Sequence, residues 1–189
     1  MTERARSLTL AALIAALMAS TAWISFPTLG GIPLSPQTLF VVLAAYLLKP
    51  RWAGASMALY VLLGACGLPV FAGGRGGAAI LVGPTGGYLA GFIVAAVLGA
   101  LIFHVDTDTG DKTQLRGSTR WVIDATGIIV SAILINVLGS AWMVVSAGFT
   151  LSKALAVGFV PFVMPNLLKG LAAVLIARYL ARVVLADKS

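Results

Sequence analysis

Charged residues are scarce in this sequence. Asp, Glu, Lys and Arg make up 10% of its 189 residues, whereas 60% of the residues are hydrophobic and the mean hydropathy is +1.02. A soluble domain averages about 25% charged residues, so the composition predicts an integral membrane protein. The net charge of +7 does not indicate nucleic-acid binding, because the basic residues lie in small groups at the ends of apolar segments, where membrane topology requires them.

Residues that carry catalysis or bind metals are scarce as well. The single cysteine, Cys66, excludes an internal disulfide and any site built from several cysteines, and the single histidine is His104. The sequence has no His–carboxylate pair, no metal-ligand cluster and no P-loop pattern. It therefore predicts a protein that is not an enzyme, has no cofactor and cannot power transport with its own nucleotide site.

Six hydrophobic segments follow one another along the chain, at residues 7–25, 35–48, 52–66, 85–104, 121–147 and 151–180. They predict an all-α bundle of six transmembrane helices that forms a single domain over residues 1–189. The second segment is too short to cross a hydrocarbon core of about 30 Å as a helix. We therefore expect residues 26–36 to complete that crossing as irregular backbone. A cleavable signal peptide at the N-terminus is an alternative, but its removal would leave five spans.

The distribution of Lys and Arg predicts the orientation of the bundle. Ten of the 13 basic residues fall on the side of the N-terminus, Arg75 and Lys153 fall on the other side, and Lys169 lies within the last segment. Cytoplasmic loops carry the excess of Lys and Arg, so we expect a multi-pass protein of the cytoplasmic membrane with both termini in the cytoplasm. The Gly/Pro-rich segments 26–36 and 68–84 then lie on the outer side.

The stretch 67–92, GLPVFAGGRGGAAILVGPTGGYLAGF, is apolar but rich in glycine and proline. Glycine and proline disfavour a continuous helix. Irregular backbone at membrane depth persists only where protein buries it or where it lines a cavity. We therefore predict that residues 68–84, which we call the lid, cover a small-molecule site. A Gly-rich loop that rests among lipid headgroups is the alternative.

Lys169 is the most unusual charge, because it lies within the last hydrophobic segment. A lysine at membrane depth costs about 2.5 kcal/mol or more on insertion scales and usually faces a cavity or a partner. We expect no acidic residue at its depth, so Lys169 predicts an anionic or strongly polar ligand; snorkelling to the interface is the alternative. Asn166 lies on the same helix face three residues earlier, and its amide suits a ligand with amide or urea groups.

Other polar and aromatic residues stand at the starts of apolar segments or within them. Gln37 opens the second segment and Thr85 opens the fourth, where free backbone N–H groups attract polar groups. Tyr88 either covers an apolar part of a ligand or anchors the chain at the interface. Asn136, the only amide in the fifth segment, either contacts a ligand or joins two helices by a hydrogen bond.

The first segment has an alanine at every fourth position, namely Ala11, Ala15 and Ala19, with Ala12 and Ala16 beside them. Small residues on one face of a helix let another helix approach closely. This face therefore packs against another helix of the bundle or docks on a separate membrane protein, and the residues alone leave both interpretations open.

Four motifs together resemble the BioY family. They are IPLSPQTL at 32–39, KPRWAGASMALYVLLGACGLPVFAGG at 49–74, LVGPTGGYLAGF at 81–92 and PNLLKG at 165–170. The resemblance covers most of the chain, apart from the polar linker and the tail. BioY proteins are the biotin-binding S components of energy-coupling factor (ECF) transporters. One departure is Asn166, since the family commonly has an acidic residue three positions before the lysine of the last helix.

The resemblance implies a fold, a ligand and partners. It implies six transmembrane helices in a bacterial or archaeal membrane, with a biotin site near the outer face that the first and third loops cap. It also implies docking on a transmembrane coupling protein driven by two ABC-type ATPases, which favours the docking interpretation of Ala11, Ala15 and Ala19. An S component for another small vitamin, or a non-enzymatic bundle subunit, is the alternative. The predicted biotin contacts are Lys169, Asn166, Tyr88, Gln37, Asn136, Thr85, Gly83 and Phe71.

Overall fold

The computed structural model describes residues 2–28, 31–105 and 117–186. These residues form eight α-helices, with a π-helical turn at Leu155–Phe159. The helices are α1 (Glu3–Ser20), α2 (Gln37–Leu47), α3 (Pro50–Ala65), α4 (Ala79–Val82), α5 (Gly86–Phe103), α6 (Gly117–Ala147), α7 (Leu151–Ala154) and α8 (Val160–Ala186). The described residues contain two isolated β-bridges but no strand. The predicted all-α fold is confirmed.

Each of the six hydrophobic segments contains a helix, and the π-helical turn interrupts the last one. Among the described residues, three stretches are long and apolar enough to cross a membrane, namely Gly86–Phe103, Thr119–Ala147 and Leu151–Leu180. α2 has 11 residues, so it measures about 16 Å against about 30 Å of hydrocarbon. The helix in the second segment is thus even shorter than the hydrophobic segment 35–48 itself.

α2 lies in the middle of the bundle. Its residues 41–45 are all buried, and α1, α3, α5 and α8 pack against it. A helix that is apolar on every side is stable when other helices surround it. Gln37 and Thr38 at its start are also buried, with 3% and 8% of their surfaces exposed. The first turn of α2 therefore faces the interior of the protein rather than lipid.

Small residues let α5 approach α6 closely. Gly87 and Gly91 lie four residues apart on α5, and a Cβ atom at Gly91 would lie 3.1 Å from the Cα atom of Ile135. A side chain at Gly87 would collide with Trp142, which is also on α6. Such a small-xxx-small pattern permits close helix contact in membranes, and it brings α6 against the first turns of α5.

Residues 26–28 and 31–36 belong to no helix and no strand, and their backbone folds back on the bundle. Phe26 and Leu34 pair through two backbone hydrogen bonds of 2.8 Å each. Ile32, which lies between them, turns inward with 4% of its surface exposed. The chain thus covers part of the bundle before α2 begins.

The lid contains a second bridge, between Phe71 and Arg75. The three-residue turn that joins them has Gly73 and Gly74 at φ values of 79° and 67°, which glycine adopts without steric cost. The Gly73 N–H donates to the carbonyl of Ala22, just beyond α1, at 2.8 Å. The lid is therefore fixed to the end of α1, and it turns Phe71 inward so that 2% of this residue is exposed.

The alanines of α1 divide between two surfaces. Ala11 and Ala15 are 4% and 1% exposed and belong to the core of the bundle, whereas Ala19 is half-buried. Ala12 and Ala16 are exposed. The interpretation of Ala11 and Ala15 as a docking face is therefore corrected, because other parts of this chain already cover both side chains. The small residues that remain open to a partner are Ala12 and Ala16.

An ion cluster lies at the end of the bundle that is remote from the lid. Asp124 of α6 is 1% exposed and pairs with Arg120, one turn earlier, at 3.3 Å, and with Arg178 of α8. Arg120 also donates to the Phe103 carbonyl at the end of α5, at 3.3 Å. Arg178 stacks over the ring of Trp121. The cluster thus joins α5, α6 and α8 at this end.

Candidate ligand-binding site

A cleft opens under the lid, with an empty volume of about 560 Å³ up to its mouth. Its walls come from the segment before α2, from the lid, and from α2, α5, α6 and α8. Sites for small molecules typically have volumes of about 300–1,000 Å³ and are mostly apolar, with a few placed polar groups. The cleft has the composition of such a site.

Seven of the eight predicted contact residues line this cleft, namely Lys169, Asn166, Tyr88, Gln37, Asn136, Thr85 and Phe71. Gly83 is not among the lining residues. Its carbonyl instead accepts a hydrogen bond from Trp142 Nε1 at 3.0 Å, which holds the end of the lid against α6. The structure thus brings the seven residues together from the lid and four helices, and their contact with a ligand stays a prediction.

A row of hydrogen-bonded polar side chains crosses the cleft. The Thr38 hydroxyl donates to Asn166 Oδ1 at 3.0 Å, and Asn166 Nδ2 donates to Asn136 Oδ1 at 2.9 Å. Asn136 is 1% exposed, and its Nδ2 has no hydrogen-bond partner among the described residues. A buried donor that stays unpaired costs about 1–3 kcal/mol. The hydrogen bond to Asn166 joins α6 to α8, and contact of Asn136 with a ligand stays a prediction.

Lys169 lies in the wall of the cleft, half-buried. Its Nζ donates to the backbone carbonyl of Ser35 at 2.7 Å, which leaves two of the three ammonium donors of a lysine for other acceptors. The second cation of the cleft is Arg75 in the lid. No acidic residue is among the described residues that line the cleft. Its electrostatic field therefore favours an anionic group.

Gln37 has a structural role in the floor of the cleft. Its Nε2 donates to the Tyr60 hydroxyl at 2.6 Å, and its Oε1 accepts from the Ser35 hydroxyl at 3.1 Å. The Tyr60 hydroxyl in turn donates to the Val70 carbonyl in the lid at 2.9 Å. Because these bonds join α2, α3 and the lid, Gln37 fixes the lid and the floor relative to each other.

Aromatic rings form the apolar part of the cleft. The Tyr88 hydroxyl donates to the Gly158 carbonyl in the π-helical turn at 2.7 Å, and its ring centroid lies 6.2 Å from that of Phe162. Tyr88 is 7% exposed, so it lies inside the protein and does not anchor the chain at the membrane interface. Since the protein already satisfies its hydroxyl, Tyr88 offers the cleft its ring face.

Sequence reasoning missed several residues of the cleft. Phe92 lies one helical turn after Tyr88, and Phe162 lies one turn before Asn166. The spacing of four that puts residues on one helix face was therefore a signal for both rings. No comparable signal marked the backbone carbonyl of Ser35, because any residue supplies a carbonyl and only the fold places it beside Lys169.

Comparison with known proteins places this chain in a family. A family model described as "BioY family" matches residues 1–186. The chain belongs to the BioY family. A "Biotin transporter BioY" from Thermotoga maritima is 42% identical over 172 residues, which cover 91% of this chain and 94% of that protein. A "Probable biotin transporter BioY" from Pyrococcus horikoshii is 36% identical over 177 residues, covering 94% and 97%. The resemblance predicted from the four motifs is confirmed.

The fold of this BioY chain also has a counterpart of known structure. A crystal structure of the S component for biotin from an ECF-type ABC transporter matches it with a TM-score of 0.81. The match covers 96% of this chain and 95% of the other, at 24% sequence identity. At this identity the likeness shows that the two chains share a fold.

Proposed function

We propose that this BioY protein binds biotin in the cleft and takes part in biotin uptake as the S component of an ECF-type transporter. The names of its relatives support this proposal. The observation that carries it is the lining of the cleft, which combines two cations without an acidic residue among the described positions, a row of amides, and aromatic rings. Biotin has the matching groups: a carboxylate, a ureido group, and an apolar thioether ring with an aliphatic chain.

The amide row suits the ureido group. The ureido oxygen would accept from Asn136 Nδ2, the donor that lacks a partner among the described residues. The ureido N–H groups need acceptors, and the side-chain oxygens of Asn166 and Asn136 each have a second lone pair. An uncharged row can therefore satisfy a neutral ureido group without the acidic residue that the family commonly has at position 166.

The rings of Phe71, Tyr88, Phe92 and Phe162 suit the thioether ring and the aliphatic chain. Burial of apolar surface contributes about 25 cal/mol per Å², and these rings share the apolar wall of the cleft with aliphatic residues such as Ile32, Ile80 and Leu89. A ligand that satisfies the polar row and also fills this wall gains from both contributions.

Transport needs an energy source that this chain does not supply, because its sequence has no P-loop pattern. We assign that role to a transmembrane coupling protein and two ABC-type ATPases. The coupling protein would dock on the exposed face of α1 around Ala12 and Ala16, where small residues permit close helix contact. The mechanism is then alternating exposure of one binding site, driven by the ATPases.

The proposed membrane is the cytoplasmic membrane, with the lid outside and both termini inside, as the basic residues indicate. In a Cys66→Ser background, a cysteine introduced at Thr2 should resist an impermeant thiol reagent in intact cells, whereas one at Ala78, which is exposed in the lid, should react. Ready labelling at Thr2 would reverse the orientation.

Titration of the purified protein with vitamins tests the proposed ligand. Biotin should bind far more tightly than thiamine or riboflavin, because neither of those molecules offers a carboxylate to the two cations. Circular dichroism and a single symmetric peak in gel filtration would establish that the protein is folded. A folded protein that binds no biotin, or that binds thiamine equally well, would overturn the proposal.

A further inference from the structure

Arg75 is the only charged residue of the lid, and it lines the cleft. The backbone N–H of Arg75 donates to the Phe71 carbonyl at 3.1 Å, and the backbone carbonyl of Arg75 accepts from the Phe71 N–H at 2.8 Å. Residues that exchange both hydrogen bonds in an antiparallel pair lie directly opposite each other, with their side chains on the same face. Both residues line the cleft: Phe71 is buried, whereas Arg75 on the same face of the bridge is exposed to solvent.

A side-chain hydrogen bond orients the guanidinium of Arg75. Its Nε donates to the Ala72 carbonyl at 3.1 Å, which leaves four of the five guanidinium N–H donors on the two terminal nitrogens. Arg75 forms no ion pair with any described residue. The described carboxylates, Glu3 at the start of α1 and Asp124 in the ion cluster, both lie at the far end of the bundle. The described part of the chain therefore offers this fork no anion.

Lys169 presents the second cation to the same cleft from α8. It also keeps unused N–H donors, since Ser35 takes one of three. An arginine fork matches the two oxygens of a carboxylate, whereas an ammonium acts as a point charge. A carboxylate between them would satisfy a cation on the lid and a cation on the last helix together.

We propose that Arg75 and Lys169 bind the carboxylate of the ligand between them, so that the ligand itself joins the lid to α8. This inference rests on biotin being the ligand. It assigns the ureido group to the amide row and the carboxylate to the two cations. It also makes the lid a determinant of specificity, because a ligand without the negative charge cannot engage Arg75.

A comparison of biotin with biotinamide tests this assignment, since the two ligands differ only in whether the chain ends in a carboxylate or in a neutral amide. The dissociation constants of both would be measured for the wild type, Arg75→Gln and Arg75→Lys. Arg51→Gln is the matched control, because Arg51 is an exposed arginine on α3 that stacks on Trp52 and does not line the cleft.

The wild type should prefer biotin to biotinamide by about tenfold or more, as expected for hydrogen bonds between charged groups. Arg75→Gln should weaken biotin binding by about tenfold and leave biotinamide binding nearly unchanged, so that the preference narrows to the part that Lys169 contributes. Arg75→Lys should retain part of the preference, and Arg51→Gln should retain all of it. Retained biotinamide binding shows at the same time that each variant is folded.

Three results would overturn the inference. Equal weakening of both ligands in Arg75→Gln would mean that the arginine acts through packing of the lid. Unchanged biotin binding in that variant would leave the carboxylate to Lys169 alone. A wild type that does not distinguish the two ligands would remove the carboxylate from the cations altogether. A wild type that binds neither ligand would instead overturn the proposed function, which the titration with other vitamins identifies separately.

Discussion

The two ends of the bundle differ in whether their cations have a carboxylate partner among the described residues. At the end remote from the lid, Arg120 and Arg178 both contact the buried carboxylate of Asp124. Under the lid, Lys169 and Arg75 line a cleft that has no carboxylate among its described lining residues. The described residues thus supply the counter-charge at one end and none at the other.

This difference distinguishes a structural site from a binding site. A charge that is removed from water is costly unless another group compensates it. The ion cluster is compensated permanently, so it should contribute to stability and not to ligand binding. Lys169 is half-buried and donates to the Ser35 carbonyl, whereas Arg75 is exposed and remains in contact with water. Neither cation has a carboxylate partner among the described lining residues, so in our account both should contribute to affinity and not to stability.

The largest expected effect is on stability, at the ion cluster. Arg178→Met leaves the buried carboxylate of Asp124 with one of its two partners, and removal of a partner from a buried ion pair typically costs about 3–5 kcal/mol in the free energy of unfolding. Biotin affinity of the folded fraction should not change. Denaturant titration in detergent measures the first quantity, and a binding titration measures the second.

A double variant serves as the control for the ion cluster. Asp124→Leu combined with Arg178→Met removes both charges of the buried pair, and an apolar replacement of such a pair is often neutral. The double variant should therefore recover much of the lost stability. If Arg178→Met alone leaves stability unchanged, the cluster is not the structural site that the comparison requires.

The reverse pattern is expected for Lys169→Met. The variant keeps the length of the side chain but removes its charge, and truncating one partner of a buried charged hydrogen bond typically costs about 2–5 kcal/mol in binding. The free energy of unfolding without ligand should stay the same or rise, because a half-buried charge without a carboxylate partner among the described lining residues is gone. A folded variant with wild-type biotin affinity would show that Lys169 is oriented towards the interface instead.

α1 offers a similar comparison between a buried position, Ala15, and an exposed one, Ala16. Ala15→Trp inserts a large ring where the side chain is 1% exposed, and overpacking typically costs about 1–3 kcal/mol in stability. Ala16→Trp, on the exposed face, should leave stability and biotin binding intact but weaken assembly with the coupling protein, as measured by co-purification. Equal assembly of wild type and Ala16→Trp would remove the exposed face of α1 from the proposed interface.

The smallest expected effect concerns the amide row. Asn166→Ala removes the side-chain oxygen that we propose accepts from a ureido N–H, and such a neutral hydrogen bond contributes about 0.5–1.5 kcal/mol. Its loss of biotin affinity should therefore be smaller than that of Lys169→Met. Asn166→Asp should be tolerated, since it restores the residue type that the family commonly has there. A loss for Asn166→Ala that equals that of Lys169→Met would mean that the row, and not the cations, dominates binding.

Much of the architecture could be predicted because its signals are local in sequence. Hydrophobic runs predicted the six helical segments, and the glycines and prolines of residues 68–84 predicted the lid. Lys169 and Asn166 share a helix face because they lie three residues apart, and both line the cleft. Gly83 belongs to the same Gly/Pro-rich segment, but it does not line the cleft.

Contacts between distant segments could not be predicted. Thr38 meets Asn166 across 128 residues, and Asn166 meets Asn136 across 30. The buried face of α1 could not be predicted either. Ala11 and Ala12 are the same residue type, and only the packing of the bundle buries one and exposes the other. Which of two alanine faces is buried depends on the partner helices rather than on the helix itself.

A structure of the protein with biotin bound tests the central claim most directly. We expect the carboxylate oxygens to lie about 2.7–2.9 Å from Lys169 Nζ and from a terminal nitrogen of Arg75, as in charge-assisted hydrogen bonds. We expect the ureido oxygen to accept from Asn136 Nδ2. A complex in which the ureido group faces the two cations and the carboxylate faces solvent or the amide row would contradict the account.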